Sequence, residues 1–228
     1  MFTDHGYAML SVNGMSTERR KYEQKVRAER RQETRRRIVE ATVRLHGDVG
    51  PARTTVAEIA RRAGVSRLTV YQHFPSDADL YGACQSRFIE LNPRPDLGPA
   101  MALADPEARV GEALRLIYRG YRQTEPMTAK IQRDRHLLPA LNDLMENTAD
   151  QELDRTADIL AAGFRATGKR EEQLRALARL ALDFWTWRRL STDGLDDAEA
   201  GELMTGAIRL LGEGRIKPTE VASFPDDL

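Results

Sequence analysis

One cysteine, Cys84, stands in 228 residues. No intramolecular disulfide can staple this fold, and a reducing compartment is its natural setting. Histidines are almost as scarce: His5, His46, His73 and His136 lie far apart. There is no His-Glu-x-x-His and no paired Cys-x-x-Cys, so no metal site is expected. Neither a glycine-rich phosphate loop nor a Gly-x-Ser-x-Gly elbow occurs, and the abundant carboxylates read as the wet faces of amphipathic helices. We therefore assign no catalytic residue and no cofactor, and expect a protein that is not an enzyme. Apolar runs reach only a few residues, far short of a membrane span. No basic-then-apolar leader opens the chain. Cytoplasmic localisation and no membrane partner are the expectations. Sustained period-2 alternation is also missing, which excludes a sheet and leaves an all-α fold.

Net charge is absent as well, but this zero is an average of opposites. Residues 1–75 carry 15 Lys and Arg against 8 Asp and Glu; residues 76–228 carry 20 against 27. A basic N-terminal part attracts phosphate, whereas the rest has no such bias. Ten of the basic residues, from Arg19 to Arg37, crowd into nineteen positions. They are interleaved with Glu18, Glu23, Glu29 and Glu33, so a solvated tail and a phosphate-tracking arm are both open readings. Residues 1–31 are expected to be a basic, flexible arm, helical toward its end. Met15 offers an alternative first residue.

Helical spacing of Ile38, Ala41, Thr42 and Leu45 predicts a first helix over about 32–47, ended by Gly47 and Gly50-Pro51. Thr55 is a good N-cap for a second helix, with Glu58 completing a capping box. Gly64 can adopt the left-handed conformation that ends it. Ser66 caps a third helix, in which Val70 and Phe74 face inward. Ser76 caps a fourth, with Asp79 near N3 and Leu80, Cys84, Phe88 and Leu91 on its buried side. Asn92 to Pro99 holds three prolines and a glycine and breaks the chain. Beyond it Asp105-Pro106 starts a helix with Val110, Leu114, Ile117 and Tyr121 along one side, and a short helix follows Pro126. Further helices are predicted over about 139–166, 170–192 and 197–213, the last capped by Asp196 and Glu199. This divides the chain into the arm 1–31, a small helical unit 32–80, a larger unit 81–216 and a disordered tail 217–228.

The most informative stretch is Thr54 to Gln72. Two short helices joined at Gly64 form a helix-turn-helix, in which the second helix enters the major groove. With Val70 and Phe74 inward, Arg67, Leu68, Thr69, Tyr71, Gln72 and His73 line the outer and lateral faces. Arg67 can pair with guanine, Gln72 with adenine, and Thr69 or Leu68 can touch a thymine methyl. Ser66, Tyr71 and His73 can reach phosphate oxygens, as can Thr54 and Thr55 at the preceding helix start.

Residues 35–91 resemble the DNA-binding domain of the TetR family of bacterial transcriptional regulators. The likeness is carried by Thr54-Thr55-Val56-Ala57-Glu58-Ile59-Ala60, Ala63-Gly64-Val65-Ser66 and Val70-Tyr71-Gln72-His73-Phe74, followed by Ser76 and Leu80. It implies nine helices in two domains: an N-terminal three-helix helix-turn-helix domain and a larger C-terminal ligand-binding and dimerisation domain. It further implies a homodimer on a palindromic double-stranded DNA operator, released when a small-molecule effector binds. Repression is the usual role. Two positions depart from the family: Asp77 stands where many members have a phosphate-holding lysine, and Leu68 where a small residue is usual.

In the C-terminal part, Tyr118, Tyr121, Met127, Ile131, Leu141, Met145, Phe164 and Trp185 are candidates to line an effector pocket, though core packing suits each of them too. Leu174, Leu177, Ala178, Ala181 and Trp185 make one stripe, and Leu180, Phe184 and Trp187 another; a helix apolar on two sides has partners on both. Leu177, Ala181, Phe184, Leu203, Ala207 and Leu210 are the expected dimer surface, closed as a four-helix bundle. The alternative from another class is a helical small-molecule-binding protein or enzyme without a DNA role.

Overall fold

In the computed structural model of the protein, residues 12–215 are described. The expected tail 217–228 and the first eleven residues of the arm lie outside them. Among the described residues there is no strand. Eleven α-helices follow in order: α1 Val12–Asp48, α2 Val56–Ala63, α3 Arg67–His73, α4 Asp77–Leu91, α5 Gly98–Met101, α6 Pro106–Asp134, α7 Pro139–Met145, α8 Gln151–Ala162, α9 Lys169–Leu182, α10 Phe184–Thr192 and α11 Asp197–Gly212. Nine were expected, and the difference has four sources. Two predicted helices fuse into α6, two others each divide in two, and α5 adds one turn.

α1 starts twenty residues before the predicted start. Its N-terminal half needs no apolar stripe, because side chains three and four apart support each other on an exposed helix. Arg19–Glu23 at 3.2 Å and Arg36–Glu33 and Arg36–Glu40 at 2.7 and 2.8 Å are such pairs. No proline or glycine interrupts Met15 to Leu45.

Two separate apolar clusters form. The first joins Ile38 and Leu45 of α1, Ile59 of α2, Val70 and Phe74 around α3, and Leu80 and Cys84 of α4. The predicted boundary after residue 80 thus falls inside α4, whose Cys84 still belongs to the N-terminal cluster. Leu91, expected inward, is 54% exposed, and Phe88 is half-buried. The second cluster gathers α6, α8, α9, α10 and α11 around the fully buried Leu114, Tyr118, Leu174, Trp187 and Ile208.

α6 runs straight through Pro126. Proline deprives the carbonyl four residues earlier of its helical donor. That residue, Arg122, and Pro126 itself are both exposed, so water can serve the carbonyl, and the apolar packing of α6 holds the helix together. After α7 the chain widens over Glu146–Asp150 into a turn with i→i+5 bonding. Asn147 Nδ2 donates to the Asp143 carbonyl at 2.7 Å and Thr148 Oγ1 to the Leu144 carbonyl at 2.6 Å, serving groups near the widened turn. α8 ends at Ala162, before Gly163, which packs against Pro106.

The predicted helix 170–192 breaks at Asp183. The Asp183 carboxylate accepts from the Trp185 and Thr186 backbone N–H groups at 2.8 and 3.0 Å and so caps α10. The carbonyls freed on the other side of the break are taken by tyrosines of α6. Tyr118 Oη donates to Ala181 at 2.8 Å and Tyr121 Oη to Leu182 at 2.7 Å. Burial, reinforced by the nearby Asp183 carboxylate, pushes both phenols well above their ordinary range, so they remain donors at neutral pH.

Candidate nucleic-acid interface and effector cavity

Thr55 caps α2, its Oγ1 accepting from the Glu58 N–H at 3.2 Å. The predicted reciprocal bond from the Glu58 side chain is not formed, because Arg61 draws that carboxylate outward at 2.6 and 2.8 Å. Gly64 takes φ +66°, a left-handed turn that costs a side-chain-bearing residue energy. The Val65 N–H then reaches back to the Ala60 carbonyl at 3.0 Å, closing the turn. Ser66 caps α3 through the Thr69 N–H at 3.0 Å, and the Ser66 and Thr69 hydroxyls bond each other at 2.8 Å. Ser76 and Asp79 form the full reciprocal box at the start of α4.

Val70 and Phe74 are almost wholly buried and fix the rotation of α3. The side chains between them therefore point away from the core. Ser66, Arg67, Leu68, Tyr71 and Gln72 are exposed. Leu68 at 66% and Tyr71 at 54% exposure are large apolar surfaces turned to solvent on one short helix. Thr69 is half-buried. Thr54 is half-buried as well, and its hydroxyl donates to the Gly50 carbonyl at 2.9 Å, while Thr55 is exposed. His73 is half-buried at the end of α3. Burial first, then Arg31 and Arg35, lower its pKa, so at neutral pH it offers a hydrogen bond and not a positive charge.

The second feature is a cavity of about 260 Å³ lined by α4, α6, α7, α8, the end of α1 and the loop 92–97. Of the eight candidate pocket residues, Tyr121, Met127, Ile131, Leu141 and Met145 lie on its wall. Three do not. Tyr118 is buried in the second cluster and spends its hydroxyl on Ala181. Phe164 packs against Gly212, where a Cβ would come within 2.4 Å of its ring. Trp185 is 41% exposed and lies edge-on to Phe184.

Sequence reasoning missed the part of the wall that comes from the N-terminal domain: His46 of α1 and Tyr81, Cys84, Gln85 and Phe88 of α4. The available signal was α4 itself, apolar on more than one side. It also missed a polar strip on α6, where Thr124, Thr128 and Gln132 recur every fourth residue beside Met127 and Ile131. His46 is 2% exposed, and burial drives its pKa down to about 4 against the opposing pull of Asp134. Arg94 and Glu152, the charged members of the wall, are paired with each other. The cavity is thus electrically neutral, mostly apolar, and ringed by uncharged hydrogen-bonding groups.

The two features are joined by the end of α6. Beyond Ile131 and Gln132, Asp134 accepts from the Ala52 N–H at 3.0 Å, and Arg133 donates to the Val49 carbonyl at 3.3 Å. Arg133 and Asp134 pair at 2.6 Å. Burial pushes the Asp134 carboxyl upward, but Arg133 and the Ala52 N–H outweigh it and leave it below its ordinary value. Gly50, at φ +94°, admits this approach: a Cβ there would stand 2.5 Å from both Arg133 Nη2 and Asp134 Oδ2.

The family model described as "Bacterial regulatory proteins, tetR family" matches residues 38–84, the span from the buried part of α1 to the middle of α4. That match assigns the TetR-type helix-turn-helix to residues 38–84, about a fifth of the chain. The transcriptional regulator TtgR of Pseudomonas putida is 49% identical over 55 residues, 24% of this chain and 26% of its own length. The likeness to the curated relatives thus spans about a quarter of them. Solved TetR-type structures extend the shared fold over most of the chain. A TetR-like regulator from Rhodococcus sp. RHA1 covers 80% of this chain and 94% of its own, with a TM-score of 0.53 at 19% identity. NalD of Pseudomonas aeruginosa, the secondary repressor of the MexAB-OprM multidrug efflux pump, covers 78% and 95%, with a TM-score of 0.53 at 20% identity. At such identities the TetR likeness of the C-terminal part is one of fold. No helix among the described residues is long and apolar enough to cross a membrane.

Proposed function

We propose that this protein is a homodimeric DNA-binding transcriptional repressor of the TetR type, released from a palindromic operator when an uncharged, largely apolar small molecule fills the cavity. The observation that carries the reading is the α3 surface: a helix capped at its start, anchored by two buried residues, and presenting Arg67, Leu68, Tyr71 and Gln72 to solvent. Arg67 and Gln72 are assigned to base edges. Leu68 and Thr69 are assigned to apolar contact, and Thr54, Thr55, Ser66, Tyr71 and His73 to the phosphate backbone.

The effector class follows from the wall. With its charges paired, the cavity gives a charged ligand no counter-ion, and a buried unpaired charge is costly. Thr124, Thr128, Gln132 and His46 supply orientation. A ligand there would touch both the α6 segment that ends in the Arg133–Asp134 clamp and the α1 and α4 residues of the N-terminal domain.

For the dimer, Leu177, Leu203, Ala207 and Leu210 remain suitable. They are exposed or half-buried on α9 and α11, and Leu180 joins them at 53% exposure. Ala181 and Phe184 are withdrawn from that surface, since they are 0% and 2% exposed within the single chain. The break at Asp183 turns Phe184 into the chain's own core.

Selection of bound duplexes from a random pool tests the main reading and reveals half-site spacing together. Two half-sites about one helical turn, or a multiple of it, apart are expected. A pool that yields no enriched sequence sinks the proposal.

A further inference from the structure

Inside the domain α1 buries Ile38, Ala41 and Leu45, a stripe at alternating spacings of three and four. The same alternation continued toward the N-terminus meets Thr34, Arg31, Arg27, Gln24 and Arg20. Where the stripe leaves the core, its apolar residues give way to arginine. Arg35 borders this seam, with its guanidinium carbon 4.7 Å from the centre of the Phe74 ring. All four arginines are exposed.

Helical geometry separates the charges. Glu18, Glu29, Glu33 and Glu40 fall on the face opposite the seam. The pairs of Lys25 with Glu29 and of Arg36 with Glu33 and Glu40 also lie off it, while Glu23, which borders the seam between Arg20 and Arg27, is taken by Arg19 at 3.2 Å. Among the described residues, Arg20, Arg27, Arg31 and Arg35 have no carboxylate partner. Arg27, Arg31 and Arg35 are instead spaced four apart, so like charges face each other and destabilise the free helix.

A protein partner helix would call for apolar residues at these positions. A row of uncompensated guanidinium groups suits a phosphate backbone, which Arg recognises through paired N–H donors. The seam is also continuous with the end of α3: Arg35 lies on Phe74, and the charges of Arg31 and Arg35 are felt at His73. From Arg20 to Arg35 the helix spans about 22 Å, or six to seven phosphates of one strand at ~3.4 Å each.

We infer that the N-terminal half of α1 is a second DNA-contacting surface, an arginine seam that lies along duplex phosphates flanking the half-site. This rests on the reading of α3 as the DNA-binding head and adds a sequence-independent contact to it. The probes are duplexes carrying the sequence the chain selects, with flanks of increasing length and unrelated sequence. For the full chain, affinity should rise as the flanks lengthen and then level off. The triple variant Arg20→Gln, Arg27→Gln, Arg31→Gln should lose that rise. Its slope of log affinity against log salt should become shallower by about 2 to 3 per protomer, since each neutralised phosphate contributes ~0.9. Preference for the selected sequence should persist. The corresponding Arg→Lys triple should keep the slope. An unchanged slope in a helical, sequence-selective glutamine variant overturns the inference, as does flank-independent affinity of the unsubstituted chain, which decides the matter even if that variant unfolds. Loss confined to anionic vesicles, with DNA binding untouched, would assign the seam to a membrane and overturn it equally. If the unsubstituted chain selects no sequence at all, the underlying reading of α3 has failed, and the seam loses its frame with it.

Discussion

Asp134, the last residue of α6, accepts a hydrogen bond from the backbone N–H of Ala52 at 3.0 Å, across 82 residues of sequence. Ala52 lies four residues before α2, and Asp134 lies three residues after the cavity-lining Ile131. One helix therefore lines the cavity and grips the backbone just ahead of α2. Asp134→Asn keeps the shape and removes the charge that Arg133 and Ala52 address. Loss of a buried bond of this kind costs about 1–3 kcal/mol, measurable as a lower urea midpoint. The more telling readout is coupling: a molecule that fills the cavity should still bind, but operator affinity should no longer respond to it. A variant whose response matches that of the unsubstituted chain would remove the clamp from the release mechanism.

His46 gives the fold a pH dependence of defined sign. Its folded pKa is about 4, against an ordinary 6.5, so between those values the unfolded chain holds a proton that the folded chain refuses. Stability is then complete above pH 6.5 and falls as the pH drops toward 4, by up to about 3 kcal/mol at 1.36 kcal/mol per unit. His46→Gln should flatten that part of the stability profile. Chemical unfolding at pH 7.5 and pH 5 measures it. An equal loss in the variant would mean that other groups set the acid limit.

The two tyrosines of α6 should behave differently. Tyr118 is enclosed in the second apolar cluster, whereas Tyr121 serves Leu182 and also borders the cavity. Each phenylalanine substitution leaves a carbonyl at the α9–α10 break without its donor and should cost about 1–3 kcal/mol. Only Tyr121→Phe should also change affinity for a cavity ligand, as followed by calorimetry. Equal ligand effects from both would redraw the cavity wall.

Local rules are enough wherever a helix end is settled by its nearest neighbours in the chain. Thr55, Gly64, Ser66, Ser76 and Asp196 announce their helix ends because a cap is settled within four residues, and the helix-turn-helix is built from such signals. Features settled by distant parts of the chain were hidden. Asp183 reads as one more wet carboxylate in an amphipathic run until Tyr118 and Tyr121, some sixty residues away, take the carbonyls at the break. Pro126 reads as a stop until packing along α6 overrides it. His46 and Tyr81 belong to helices whose pattern speaks for the DNA-binding unit, so their place on the cavity wall could not be seen from either helix alone. The early start of α1 was missed for another reason: an exposed helix held by ion pairs carries no apolar period.

On α3, side chains and caps should separate affinity from specificity. Arg67→Ala and Gln72→Ala should each cost about 1–3 kcal/mol on the selected operator and relax preference at one position. Ser66→Ala removes both the cap on the Thr69 N–H and the bond to its hydroxyl. It should weaken the helix by about 1 kcal/mol and lower affinity for every sequence alike. Competition binding against single-base operator variants distinguishes the two patterns. Uniform loss in all three variants would leave α3 a phosphate-binding element and not a reader of bases.

The dimer surface can be tested through the exposed leucines. Leu203 is 52% exposed and Leu180 53%, on the neighbouring helices α11 and α9. Each is far more apolar surface than a solvated position needs, and Ala207 and Leu210 follow Leu203 along the same face of α11. In one chain these residues already sit partly in water, so Leu203→Glu should change unfolding free energy little for an isolated protomer. In a dimer the carboxylate would be buried twice, once from each protomer, because a two-fold interface repeats every contact. Burying a charge against apolar residues of the partner carries a penalty of several kcal/mol. Sedimentation at micromolar concentration should therefore show dimers for the unsubstituted chain and monomers for Leu203→Glu. Operator affinity should fall with dimer loss, since one reading head then holds one half-site. A variant that remains dimeric would move the interface away from α11.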